Sequence, residues 1–212
     1  MNRLPLYQDL YLIAHDPTGK PLIHQASLGI GLAGAVLLDL ALSGRLDITQ
    51  GRLSVYDRNP IGDSVADSLI PVILQDRDNR DTRFWIRKVA EDIYDRACGG
   101  LVAAGVLTRV TKRRMGMMTQ TRYQPVDAAP VVRARSGVRQ AVEAWEHPDA
   151  RSAALCGLVG VLRLEAALHL SQPSGQIVGR LRSIAREHPR PVNDVIGVVE
   201  ALISENAVAT YR

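Results

Sequence analysis

Residues 26–43, ASLGIGLAGAVLLDLALS, are apolar nearly all the way round a helix, and Gly44 follows where a helix-capping glycine belongs. A helix with one apolar stripe lies on a surface, whereas one apolar on every side must be surrounded. No uninterrupted apolar run here reaches the roughly 18 residues of a membrane span, so the stretch is predicted to be a buried central helix. A chain of 212 residues is long enough to bury it. A hydrophobic fraction of 46% and a charged fraction of 23% are ordinary for a globular protein, which leaves other helices to supply the surroundings.

Those other elements follow from periodicity and punctuation. Leu6, Leu10 and Ile13 recur at helical spacing from Pro5 to about Ala14, and Asp16-Pro17-Thr18-Gly19 closes that element with a turn. LDI (46–48) and LSVY (53–56) flank TQGR as a short hairpin. Amphipathic helices are predicted at about 63–75 and 82–104. Four more fit about 131–146, 149–171, 175–187 and 191–209, separated by Pro148, Pro173 and Pro189. After Gly105, the β-prone arms VLTRV and TRYQPV enclose a methionine-rich stretch and predict a second hairpin. The expected fold is mainly α: a single helical domain over residues 1–212 around the central helix, with small β-hairpins.

Gln8 and Asp9 stand where a signal peptide would need its apolar segment, so no export is expected. Cys98 and Cys156 lie in apolar, helix-like stretches and are expected to be buried free thiols in a reducing compartment. Only Lys20, Lys88 and Lys112 are lysines among 26 basic residues, a skew that resembles coding from a GC-rich bacterial genome. A cytoplasmic location is the matching expectation.

Charge is unevenly placed. Residues 1–108 hold 11 basic and 13 acidic side chains, and residues 140–212 hold 7 and 8. Residues 109–139 hold 8 basic residues against Asp127 alone. The whole excess of +4 therefore sits in one segment, as it would for a chain that meets an anionic partner.

Sites for catalysis or metal are not apparent. Gly29, Gly31 and Gly34 fit G-x-G-x-x-G, with Asp57 as a ribose ligand, but no strand feeds the motif and close helix packing explains the glycines as well. His15, His24, His147, His169 and His188 are scattered, without zinc spacing. Asp39 and Glu165 are carboxylates in apolar helical stretches, where a buried acid paired to an arginine is the commoner arrangement. Cys98 has no neighbouring histidine to activate it. The expectation is a non-enzyme with no catalytic residue, metal or cofactor.

The segment TKRRMGMMTQTRY (111–123) sets Met115, Met117 and Met118 beside Lys112, Arg113, Arg114 and Arg122. Three readings compete. In the first, the methionines enter the acyl boundary of a membrane while the basic residues sit at headgroup level. Two or three methionines and four cations would contribute on the order of 7–10 kcal/mol before ordering costs, enough for reversible attachment. In the second, the helix and basic hairpin form a winged-helix-like DNA-binding regulator. Glu91, Asp92 and Asp95 on the preceding helix would repel phosphate, which disfavours nucleic acid. In the third, the methionines are buried at a subunit interface of a structural homo-oligomer.

GLAGAVLLDLALSGRLDI, then PIGDSVADSLI, the helix ending LVAAGVLTRV, and AWEHPDARSAALCGLVGVL resemble the Golgi phosphoprotein 3 family collinearly over nearly the whole chain. The resemblance implies a mostly helical fold and peripheral attachment to membranes through phosphatidylinositol 4-phosphate. It also implies a hydrophobic β-hairpin that contacts the membrane and takes part in self-association, here residues 109–123, and an adaptor role toward a membrane-protein client. The eukaryotic members' headgroup pocket uses a tryptophan and three arginines, and the matching positions here hold His24, Ala33, Glu91 and Tyr94. None of the four matches, so no pocket residue carries over; Arg96 does match a family arginine. The expectation is therefore a peripheral protein of the cytoplasmic membrane face. Met115, Met117 and Met118 would touch the membrane, and Lys112, Arg113, Arg114 and Arg122 would bind anionic headgroups.

Overall fold

Helix α2 (Gln25–Leu42) has every residue from Leu28 to Leu40 buried. The computed structural model describes residues 3–76, 78, 80–114, 118–143, 148–188 and 190–210, with backbone alone at 112–114, 118–120 and 207–210. Around α2 pack α1 (Leu6–Ile13), α4 (Thr82–Ala90), α5 (Ile93–Ala103), α7 (Ala150–Val161) and α9 (Val192–Thr210). At its start His24 Nδ1 accepts the Ala26 N–H at 3.3 Å. At its end Gly44, with φ of 70°, donates to Ala41 O at 3.0 Å and Arg45 donates to Leu40 O at 2.8 Å. This is the paired capping that a left-handed glycine allows, as the sequence predicts.

With 18 residues and a mean hydropathy of 1.6, α2 is long and apolar enough to cross a membrane. Protein occupies its surroundings instead. A Cβ at Gly31 would stand 2.6 Å from Leu162 Cδ1, and one at Gly34 would stand 2.5 Å from Val199 Cγ2. These glycines of the apparent dinucleotide fingerprint are contact points for α7 and α9, and Asp57 is engaged with Arg45 at 2.6 Å.

The short hairpin is β1 (Leu46–Thr49) with β2 (Arg52–Val55), joined by Gln50 and Gly51, both at positive φ. Such a two-residue turn matches the twist of the flanking strands. Helix α3 (Ser64–Gln75) follows, capped by Asp63, whose Oδ1 accepts the Ala66 N–H at 2.8 Å. The chain then runs through α4, α5, a long hairpin, α6 (Ala129–Glu143), α7, a 3-10 turn (Glu165–Leu168), α8 (Ser174–Glu187) and α9. Among the described residues the architecture is mainly α with two small antiparallel two-stranded sheets, as expected.

Two predicted helices are each two pieces. The helix expected over 82–104 breaks at Glu91–Asp92, where Asp92 leaves the helical region at φ −126°, ψ −8°. Aspartate competes with helix by favouring cap positions, and so short a break leaves the apolar period almost intact. The helix expected over 149–171 stops at Val161, because Arg163 adopts φ of 56° and the Leu164 N–H reaches back to Val159 O at 3.0 Å. No glycine marks this stop. Burial of Leu164 and Leu168 beyond the turn accounts for it, a tertiary effect that local sequence does not carry.

Candidate membrane-facing hairpin

Strands β3 (Leu107–Arg114) and β4 (Met118–Pro125) form an eight-rung antiparallel ladder running from Leu107↔Pro125 to Arg114↔Met118. It leaves the body directly from α5. Gly105, at φ of 69°, donates to Val102 O at 3.0 Å, and Val106 donates to Leu101 O at 2.9 Å. The same left-handed capping that ends α2 thus turns the chain into β3. Val126 N–H on Val106 O, at 2.9 Å, closes the base.

The base is anchored on the Asp16–Lys20 loop. Gly19 lies so close that a Cβ there would stand 2.0 Å from Tyr123 O. Gln124 Nε2 donates to Thr18 O at 3.2 Å, and Arg122 Nη1 donates to Thr18 Oγ1 at 3.4 Å. Leu107 is buried and Tyr123 is half-buried against the core. Further out, Thr108, Arg109, Thr111 and Thr121 are exposed, so the ladder leaves the core after its first rungs.

The ladder also divides the candidate headgroup residues. Residues directly opposite each other share a face, and successive residues alternate. By register, positions 110, 112 and 114 pair with 122, 120 and 118, so Lys112, Arg114, Met118 and Arg122 occupy positions of one parity and Arg113 the other. Arg122 is four rungs from the Arg114↔Met118 rung, about 14 Å at strand spacing, and is tied to the loop through Thr18. Met115 and Met117 lie outside the described residues, as do the side chains of Lys112, Arg113, Arg114 and Met118.

The basic segment proves to be two elements. Arg109, Lys112, Arg113, Arg114 and Arg122 belong to the hairpin, which holds no acidic residue, whereas Arg133, Arg135 and Arg139 belong to α6. Basic residues of α4 and α5, the helices that precede the hairpin, are engaged within the protein. Arg83 and Arg87 both reach Glu205, Lys88 Nζ stands 4.9 Å over Trp85, and Arg96 Nη2 donates to Ser68 Oγ at 2.6 Å.

Three of the four positions matching the family headgroup pocket have structural roles. His24 caps α2 and Ala33 is fully buried. Glu91 is exposed at the α4–α5 break. Tyr94 Oη meets His15 Nε2 at 2.9 Å, within an aromatic cluster where His15 stacks on Tyr11 at 3.9 Å. Burial holds the His15 imidazole below its usual range.

Asp39, singled out as a carboxylate in an apolar helix, meets an arginine. Its Oδ1 pairs with Arg151 Nη1 at 2.8 Å and its Oδ2 accepts the Leu6 N–H at 2.7 Å. Burial outweighs the arginine and pushes the Asp39 carboxyl up to about 6. Glu165, its counterpart, accepts from Ser174 Oγ across the loop into α8. Cys98 and Cys156 are free and buried. Sequence reasoning missed the loop at Asp16–Lys20 as the hairpin's anchor. In the sequence Gly19 signals only a turn, and its contact with Tyr123 spans about a hundred residues of chain.

No curated protein matches the chain. Among protein families, the model for Golgi phosphoprotein 3 (GPP34) matches residues 6–200, which take in the central helix, the hairpin and all but the last part of α9. The chain belongs to the Golgi phosphoprotein 3 family.

Proposed function

We propose that this chain is a non-enzymatic, peripheral membrane-associated protein that binds anionic lipid through the outer half of its β3–β4 hairpin. The observation that carries this reading is an eight-rung ladder that leaves the core beyond its base and holds five basic and no acidic residues. A two-stranded ribbon alone in water is marginal, so an outer half of this length gains from a surface to meet. Family membership points toward lipid association as well.

Met115, Met117 and Met118 enter the acyl boundary, and Lys112, Arg113 and Arg114 contact headgroups around them. Arg122, four rungs back and bonded to Thr18, fixes the angle of the hairpin and adds attraction at longer range. Glu91 and the tyrosine at position 94 replace two pocket arginines, which favours charge-dependent binding over selection of phosphatidylinositol 4-phosphate. The membrane face involved is the cytoplasmic one, where anionic lipid and a membrane-protein client would both be met.

Flotation with liposomes at physiological salt tests the proposal. Neutral, phosphatidylserine, phosphatidylinositol and phosphatidylinositol 4-phosphate vesicles are compared, with a Met117→Glu, Met118→Glu variant beside wild type. Binding to every anionic set, absent on neutral vesicles and lost in the variant, is the expected result. Equal binding to neutral and anionic vesicles would overturn it, and selective binding to the 4-phosphate would replace charge attraction with a pocket. A protein that never floats, yet dissociates from an oligomer when the two glutamates are introduced, would move the hairpin to a subunit interface.

A further inference from the structure

A second site, lined by no residue of the hairpin, lies where the turn after α7 faces α6. A cavity of about 430 Å³ opens there, within the range of small-molecule sites. Leu22, Leu164, Ala166 and Ala167 give it apolar walls, and Leu22 is 47% exposed at its edge. Arg135, Arg163 and His169 supply the basic groups, and Asp16 the acid.

Two of these basic residues have an unusual backbone. Arg163 and His169, at φ of 56° and 51°, are two of the three described non-glycine residues with positive φ. Glycine would end α7 and the 3-10 turn at those positions without strain. Basic side chains are held there instead, and both line the same cavity. Strained positions of this kind concentrate where a side chain is needed at a fixed place.

Arg135 gives the second, independent observation. Its Nη2 donates to His15 O at 3.1 Å, but its Nε is shielded from solvent without a hydrogen-bond partner among the described residues. Nor does Arg135 form an ion pair there. An unmet guanidinium N–H in a partly buried place favours an anionic acceptor. The charge balance limits that acceptor. Asp16 stays ionised, its Oδ1 accepting from Thr18 N, Thr18 Oγ1 and Lys20 N, so with Arg135 and Arg163 the lining carries one net positive charge. What remains suits one negative charge, and a phosphate dianion would exceed it.

We infer that the cavity between α6 and the turn after α7 binds a small amphipathic carboxylate, its head on Arg135 and Arg163 and its apolar body against Leu22, Leu164 and Ala166. The site is separate from the hairpin tip and does not depend on membrane attachment.

The test uses the full chain without vesicles and follows binding by calorimetry and saturation-transfer NMR. Sodium octanoate, octanamide, sodium acetate and inorganic phosphate are the probes, all below micelle-forming concentration. Octanoate should bind, with octanamide and acetate at least tenfold weaker. Ala166→Trp fills the cavity from an exposed wall position, and Arg135→Gln removes the charge. Each should weaken octanoate at least tenfold, the first without moving the thermal transition. Amide binding as tight as carboxylate, phosphate binding tighter than octanoate, or no octanoate binding at millimolar concentration would overturn the inference. So would octanoate binding that survives Ala166→Trp but is lost in Met117→Glu, since it would place the probe at the hairpin.

Discussion

Arg151 reaches from α7 to Asp39 on α2 at 2.8 Å, and the same guanidinium holds Asp9 of α1 at 3.0 Å. One arginine thus ties three helices together where the chain begins its fold. A buried acid pair sharing one cation leaves the carboxylates under-compensated, and burial raises both the Asp39 and the Asp9 pKa.

That arrangement fixes a pH dependence. Asp39 has a folded pKa of about 6, above its unfolded value of 3.8. The native state therefore binds more protons across the interval, and the contribution is fully present below the unfolded value and lost as pH rises through 6. Asp39→Asn removes this titration. The unfolding free energy of wild type relative to the variant should fall on the order of 2 kcal/mol between pH 4 and pH 7. His15, buried and held neutral, acts in the opposite sense but is present in both chains and cancels. Denaturant titrations at several pH values measure the difference. A constant one would mean that Arg151 neutralises Asp39 fully.

The hairpin's anchor is tested at Gly19. A methyl group there meets Tyr123 O at 2.0 Å, and the backbone at φ of 75° disfavours any side chain. Gly19→Ala should separate the Asp16–Lys20 loop from β4, at a cost of about 1–3 kcal/mol. Amide exchange at Thr108 and Gln124 should accelerate while that of α2 does not. Unchanged exchange at both would show that the loop moves aside without loosening the ladder.

Thiol chemistry gives a third test. Burial pushes the Cys98 thiol up to about 11 and the Cys156 thiol up to about 12, with Cys98 Sγ 3.2 Å from Tyr11 Oη. Since the thiolate is the reactive form, labelling at pH 8 should run at least on the order of a hundredfold slower than in denaturant. Rapid labelling of either cysteine in the native protein would mean that α5 or α7 opens locally.

Much of this fold was legible because its strongest signals are local. An all-round apolar stretch closed by Gly44 signals a surrounded helix, and Gln50-Gly51 between β-prone arms signals a tight turn. The breaks at Asp92 and Arg163 were not legible. The first keeps the apolar period in phase, and the second replaces glycine with arginine in a left-handed cap. The hairpin's sequence showed its charge and its methionines. Its register, which sets Met118 across from Arg114 and Gln120 across from Lys112, depends on where pairing starts, and that is decided by Leu107, Val126 and the Gly19 contact. Arg135 and Arg163 lie 28 positions apart in sequence and share a cavity only because α6 and the turn after α7 are neighbours.

Two glycines of the helical layer should respond oppositely to the same change. A Cβ at Gly157 in α7 would stand 2.7 Å from Ala185 Cβ and 2.9 Å from Ile196 Cγ1, so α8 and α9 both approach the bare backbone there. Ala185 cannot rotate away, because its Cβ is fixed to the backbone of α8. Gly157→Ala should therefore force the helices apart and cost about 1–3 kcal/mol, the range for overpacked cores. Gly197 lies in α9, is exposed, and has nothing within 4 Å of an added Cβ. There the helix propensity of alanine is free to act, and Gly197→Ala should stabilise by up to about 1 kcal/mol. Thermal melts of the two variants give the comparison. A loss at both positions would mean that α9 needs its flexibility near Gly197, and a gain at both would mean that α7, α8 and α9 pack less closely than their glycine contacts require.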